Sequence, residues 1–477
     1  MRRTAIHRKL IVRTWITSTL ALALLSIAAP AMAGEPFSLF DSVAGMPSGS
    51  PPIGISDSYV VTLNLSGLEL NPASVSIELP GGDVIIADRL AFVPLVGFDA
   101  SGAPGSSSSL SDLVYTWRGK TSDLDNVILS VVEGRLWGFI KGPERHFSIT
   151  RDTDQRINAL TSNDLPRDLE DEIVGPGPLT EEVLAEFQQQ PGKTVAAKGG
   201  VPNIQILVLY TEQARIESGG DVMDPTDDAD LQALMYAAIG ELNQAFENSL
   251  INGSAEIVHM TKVDFTPTGS AGDDLVALTG NSAVRALRDQ HGADVVSVVV
   301  RNTGWPTVNV CGQAITQRPG CSDEPDDDPF PGCGPGPSFA PVAFHLVAWN
   351  CVQSMVVAHE FGHNAGCEHD PDSTSILSDE ASFAWSFGHF FDATPIFVNT
   401  NILTIMALAN GFREPYFSNP DVIYFAFPMG ITDERDCAQS IDSLLPDMEN
   451  FRPVAKIFLD NFESGDTSSW SSIGQKR

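Results

Sequence analysis

The sequence predicts two regions: an antiparallel β module, then an α/β layer built on a twisted, mostly parallel sheet. Three observations predict this. The chain has 477 residues, too many for one ordinary domain. Short alternating segments punctuated by turn residues fill its first third. From Asn203 onward the pattern changes to strand, helix, strand, helix, strand.

Arg2, Arg3, Arg8, Lys9 and Arg13 precede an apolar stretch from Trp15 to Ala29, and Ala31-Met32-Ala33 reads as an A-x-A cleavage site. Residues 1–33 therefore read as a signal peptide with the mature chain starting at Gly34, which predicts an exported protein, extracellular, periplasmic or at the cell surface. The apolar stretch falls short of the ~20 residues a spanning helix needs, and no later run is long and apolar enough to span a bilayer. The β module covers 34–171, with Tyr59–Leu65, Val75–Leu79, Val127–Val132 and Leu136–Ile140 as alternating strands. Turns such as Pro80-Gly81-Gly82-Asp83 and Glu133-Gly134 separate them, and the module is poor in catalytic side chains, with one histidine, His146. Residues 172–200 read as an exposed linker, with two Pro-Gly turns and a Gln run.

The second region covers 201–455. Ile204–Tyr210 is a continuous apolar strand, and Leu231, Leu234, Met235, Ala238, Leu242, Ala245, Phe246 and Leu250 recur at three- and four-residue spacing, as one face of a long helix. Ile257–Phe265 alternates as a strand, Ser282–Gln290 is helical in character, and Val295–Val300 is a buried strand. A short strand near Val342–Val347 and a helix over Val352–Asn364 follow. Residues 456–477 read as an unstructured tail.

Composition excludes some partners. The 28 basic against 61 acidic residues give a net charge of −33, which disfavours nucleic acid and anionic membranes and suits the solubility of an exported chain. All six cysteines (Cys311, Cys321, Cys333, Cys351, Cys367 and Cys437) lie in the second region, and no C-x-x-C pair occurs. An even set in an exported chain predicts disulfides, whose pairing stays open among about fifteen connectivities.

The chemistry is carried by Ala358-His359-Glu360-Phe361-Gly362-His363-Asn364-Ala365-Gly366-Cys367-Glu368-His369-Asp370. Positions i and i+4 share a helix face, so His359 and His363 can hold one metal ion, and Glu360 beside the first ligand can act as a base. Gly366 stands where the helix must stop, and glycine supplies the left-handed turn that brings His369 back as a third ligand. Three imidazoles with an open position suit a catalytic zinc better than a closed structural one. Only 9 of the 477 residues are histidine. A chance match at these offsets is therefore on the order of one in tens of thousands of such chains.

This stretch resembles the metzincin clan of zinc peptidases, whose motif is H-E-x-x-H-x-x-G-x-x-H with a downstream Met-turn, here Leu403-Thr404-Ile405-Met406-Ala407. Asp370 after the third histidine resembles the adamalysin (reprolysin) branch. The likeness, over roughly 201–453, extends to bacterial reprolysin-like enzymes called peptidyl-Asp metalloendopeptidases. The resemblance implies a zinc endopeptidase acting on proteins or peptides, a monomer with Zn²⁺ on the three histidines, Met406 as the floor beneath them and Asp370 as a support of the turn. It implies that Tyr416 and Phe417, in Tyr416-Phe417-Ser418-Asn419-Pro420, belong to the wall of the pocket for the first residue after the cut. It also implies that 34–171 is a propeptide and hence a partner of the enzyme. Leu408 replaces the tyrosine that is a fifth ligand in some metzincins, and no cysteine precedes Cys311 to inhibit through a thiolate. An extended substrate is expected to add to an edge strand near Val310–Thr316. The loop Cys321–Cys333, with Asp323, Glu324, Asp326, Asp327 and Asp328, reads as a solvated insertion in preference to a Ca²⁺ site. Two rival readings are a metzincin fold kept for binding alone and a zinc hydrolase of a non-peptide bond. Retention of Glu360 argues against the first.

Overall fold

A computed structural model describes residues 35–44, 57–79, 82–96, 112–142, 145–150, 156–160, 200–301, 310–317, 337–373, 381–393 and 401–452. The expected signal peptide, nearly all of the linker, the acidic loop with Cys321 and Cys333, and the tail lie outside them.

The N-terminal region is a ten-stranded sheet: β1 (Phe37–Ser38), β2 (Phe40–Ala44), β3 (Asp57–Leu63), β4 (Ser74–Glu78), β5 (Val84–Val96), β6 (Val114–Thr121), β7 (Asn126–Val132), β8 (Arg135–Gly142), β9 (Arg145–Thr150) and β10 (Arg156–Leu160). The order is β1-β4-β5-β6-β7-β8-β9-β10-β3-β2, antiparallel apart from the β1–β4 pair. Only Leu39 separates β1 from β2, so the two ends of the sheet meet there: Leu39 N–H donates to Ser76 O and its carbonyl accepts from Asn64 N–H. The alternation read in the sequence explains this. In β7, Val127, Leu129 and Val131 face one core with Trp117 and Ile149, while Ile128 and Val132 point the other way and join the core of the second region.

The second region is a five-stranded sheet with helices. Strands β11 (Asn203–Tyr210), β12 (Ser254–Lys262), β13 (Val295–Val300), β14 (Gly312–Ala314) and β15 (Phe344–Ala348) take the order β12-β11-β13-β15-β14. All neighbours are parallel except β14, which runs antiparallel along β15 at the edge. β13 is buried throughout, as its unbroken valine-rich run requires. The helices are α1 (Glu212–Glu217), α2 (Ala229–Asn248), α3 (Ala271–Thr279), α4 (Ser282–His291), α5 (Val356–Asn364) and α6 (Cys437–Met448). Asn281 caps α4 through the Ala283 and Val284 amides, and Gly292 ends it at φ 63°.

Two differences from the sequence reading are instructive. The helix expected from Val352 starts instead at Val356, after a 3₁₀ segment over Trp349–Ser354 and a left-handed Met355 at φ 66°. Cys351 is tied there to Cys311 by a disulfide, so the chain reverses before α5 begins. α2 shows the expected apolar face, but its other side is not solvated: Asp230, Glu241 and Gln244 are buried. That side packs on β6, β7 and β8. Among the described residues no helix is long and apolar enough to cross a membrane.

Candidate metal centre

α5 lies between the sheet and α2, with Phe361 edge-on to Phe246 at 5.7 Å between ring centroids. At its far end Asn364 donates from Nδ2 to the carbonyls of Ile315 (2.9 Å) and Phe344 (3.0 Å). Its Oδ1 pairs with His345 Nδ1 at 2.8 Å, and burial pushes His345 down to about 4, which keeps that ring neutral. These bonds fix the helix against the edge strands, and the site inherits their rigidity.

After Asn364 the chain turns through Gly366 at φ 84°, a left-handed conformation that glycine adopts without strain. The Gly366 amide donates to His363 O and the Cys367 amide to Gly362 O, both at 2.9 Å. A Cβ on Gly366 would also collide with Ser382, so the position needs glycine on two counts. The turn carries His369 back to the helix. His369 Nε2 lies 3.1 Å from His359 Nε2 and 3.1 Å from His363 Nε2. Among the described residues, these three histidines form the one group of three or more His, Cys, Asp or Glu placed to hold a metal ion.

The tautomers follow from the neighbours. His359 Nδ1 faces Ile405 O at 2.8 Å and His363 Nδ1 faces Cys367 O at 2.9 Å. A carbonyl only accepts, so each Nδ1 carries the proton and each Nε2 presents its lone pair inward. Lone pairs converging with a third imidazole nitrogen fit a cation that favours nitrogen ligands. Ile405 belongs to the expected Met-turn, closed by Ala407 N–H on Thr404 O at 3.1 Å. Met406 is fully buried with its sulfur against Gly362, where any side chain would collide with it. Asp370 accepts from Ser373 N–H at 2.7 Å and from Leu408 N–H at 2.8 Å, joining the third histidine to the end of the Met-turn.

Glu360 is buried on α5, one residue from His359. Its carboxyl lies against Gly312 of β14, where a Cβ would overlap Oε1. Sequence reasoning missed Gly312, Gly362 and Asn364, because clearance and anchoring leave no spacing signal. Tyr416 and Phe417 are both buried: Phe417 packs beneath α5 beside Phe246 and Gly362, and Tyr416 tilts onto Tyr424. The Tyr416 carbonyl meets the Met-turn, accepting from Ile405 N–H at 2.8 Å.

With this geometry in place, residues 202–418 match the family model described as metallo-peptidase family M12, of reprolysin type. The chain is also similar to proteins named peptidyl-Asp metalloendopeptidase. The one from Stenotrophomonas maltophilia (strain R551-3) is 28% identical over 254 residues, covering 51% of this chain and 52% of the relative. That from Pseudomonas aeruginosa is 27% identical over 277 residues, covering 54% and 42%. A third, from Xanthomonas campestris pv. campestris, is 26% identical over 250 residues, covering 50% of each. The match thus spans about half the length of these curated relatives. Metalloproteinase-II from Bacteroides fragilis, at 11% identity, covers 66% of this chain and 84% of its own with a TM-score of 0.31, too loose a likeness to carry an argument.

Proposed function

We propose that the chain is the exported precursor of a zinc-dependent endopeptidase with a metzincin catalytic domain, in which His359, His363 and His369 hold Zn²⁺ and Glu360 is the general base. The observation that carries this reading is the convergence of the three Nε2 atoms, two of them fixed as lone-pair donors by the Ile405 and Cys367 carbonyls, one residue from a buried carboxylate. Zinc bound there supplies Lewis acidity, which brings the pKa of water towards ~7 and polarises a carbonyl.

The chain's own residues supply the rest. Glu360 takes the proton of the attacking water and delivers it to the departing amine. Among the described residues β14 pairs with β15 alone, so its outer edge can take an extended peptide as a further strand. Gly312, in that strand, lets such a backbone pass close to the Glu360 carboxyl. Asp370 and Met406 position the third histidine and the floor of the site.

Three further features support the precursor reading. The Cys311–Cys351 disulfide suits an oxidising compartment. The N-terminal barrel packs directly on α2, as a propeptide that helps the domain fold would do. His359, Glu360, His363 and His369 are 1%, 0%, 4% and 2% exposed, as in a covered site that processing would open.

Metal analysis of the purified chain and casein degradation after limited proteolysis in the 172–200 linker test the proposal. One zinc per chain, activity blocked by a hydroxamate and its loss in Glu360→Ala are expected. Equal degradation by Glu360→Ala would sink the catalytic reading, and inertness towards every peptide would favour a non-peptide substrate. The name the relatives carry makes aspartate the first residue to test in a peptide library.

A further inference from the structure

Cys367 and Cys437 have no place in the chemistry above. Cys367 sits in the Gly366 turn, two residues before His369, and Cys437 is the first residue of α6. Both are fully buried free thiols, although 70 residues separate them in sequence. The Cys367 sulfur lies 3.7 Å from the Cys437 carbonyl oxygen, which brings that thiol onto the Cys437 residue. A disulfide would place the two sulfurs ~2.05 Å apart.

We propose that Cys367 and Cys437 are joined as a disulfide in the exported protein, and that this bond is a reducible clasp on the third metal ligand. The clasp, though not the bond itself, rests on the metal reading of the site.

The argument is one of what the two sulfurs join. On one side, Cys367 O accepts from His363 Nδ1 and Cys367 N–H closes the helix end on Gly362 O, so this residue orients His363 and fixes the turn that leads to His369. On the other, Cys437 N–H donates to Ser418 Oγ at 2.9 Å, and Ser418 Oγ donates to Phe387 O at 2.6 Å. Asp436 N–H, just before it, donates to Trp385 O. The segment 385–388 then returns to the turn, where Glu368 N–H donates to Ser386 O and Gly388 N–H to Glu368 O. Cys437 is thus the hub of the elements below the metal centre. A covalent bond from it to Cys367 would close that hydrogen-bonded circuit two residues before His369.

Two buried cysteines can also serve as small apolar side chains. What distinguishes this pair is the approach of one buried thiol to the other cysteine's backbone, in a domain whose Cys311–Cys351 pair is already bonded. Oxidation is by thiol–disulfide exchange with an external disulfide, either an oxidised dithiol protein or a small-molecule disulfide. One thiolate attacks it and releases a thiol, and the second attacks the resulting mixed disulfide and releases the other. Two protons and two electrons pass to the oxidant, which leaves as two thiols.

The test uses the full chain exported into an oxidising compartment. After alkylation under denaturing conditions without reductant, peptide mapping by mass spectrometry should recover Cys367 and Cys437 in one linked peptide pair. Recovery of both as alkylated thiols overturns the bond. For the clasp, metal release to a chelator is timed for oxidised wild type, for wild type treated with a reductant, and for Cys367→Ala/Cys437→Ala. Release about tenfold faster in the last two is expected, on the scale of a lost ligand support. If the double variant does not fold, the two wild-type samples decide. Equal release rates overturn the clasp even where the bond is found. Absence of metal from oxidised wild type would instead overturn the metal reading and leave the mapping result standing.

Discussion

The metal centre and the seam between the barrel and α2 both bury ionisable groups, and they meet the cost in opposite ways. In the centre, backbone carbonyls take the Nδ1 protons of His359 and His363, which turns each Nε2 towards a cation. In the seam, every cation comes from the barrel and every anion from the α2 end of the second region. Arg118 meets Glu247 at 2.6 Å, Arg135 meets Asp227 at 2.6 Å and Asp230 at 2.7 Å, and Lys141 meets Glu241 at 2.5 Å. Burial pushes Lys141 down and Glu241 up, against the attraction between them. The comparison teaches that the centre keeps its polarity for use, whereas the seam spends its own on register. A pair desolvated so thoroughly adds little net stability, but it penalises any other docking of barrel on helix.

The contrast can be broken from either side. Glu360→Gln should lower kcat/KM by about 10³-fold with zinc content and melting unchanged, since it removes proton transfer and little packing. Fully retained turnover would show that another group is the base. Lys141→Met should destabilise the chain by about 3–5 kcal/mol in denaturant melts, because Glu241 is left buried and unpaired. Adding Glu241→Leu should restore most of that loss, and a double variant as weak as the single would mean the pair is not the source.

Glu414 sharpens the picture at the barrel's other contact, where Leu124 packs with Tyr416 and Tyr424. Burial, followed by the nearby charge of Asp125, pushes its carboxyl from 4.5 up to about 8. The folded chain therefore holds a proton there that the unfolded chain releases above its ordinary pKa. Its contribution to stability is full below about 4.5, falls as pH rises towards 8, and is level beyond. Melting temperatures across that range should show Glu414→Gln losing less stability with rising pH than wild type. A parallel pair of curves would exclude the group. The smallest effect is expected of Asp370→Asn, about 1–2 kcal/mol from weaker bonds to the Ser373 and Leu408 amides, read most sensitively as faster metal loss.

The same contrast explains what was legible in the sequence. One helix face takes His359 and His363 at i, i+4 spacing and the Gly366 turn returns His369 at a fixed offset, so the histidine cluster is written locally. The strand and helix order was legible because β11, α2 and β13 each bury a face with its own period. The seam was not, because Lys141 and Glu241 are 100 residues apart and a glutamate on a helix looks like a solvated one. α6 is hidden for a different reason: Pro446 lies within it and interrupts the helical signal. Aromatic residues after the Met-turn do not reveal in sequence that Phe417 is buried against α5 while the Tyr416 carbonyl meets the Met-turn.

The meeting of both sheet ends at Leu39 has a consequence for biogenesis. β1 and β2 together pin the two outermost strands, β4 and β3, to one short N-terminal stretch. A chain trimmed past Ala44 would lose that pin and expose two strand edges at once, each able to recruit an edge from another copy. The place where the N-terminus is cut would then decide between a closed monomeric barrel and a sticky open sheet. Such a truncation should be visible as aggregation long before any change at the metal.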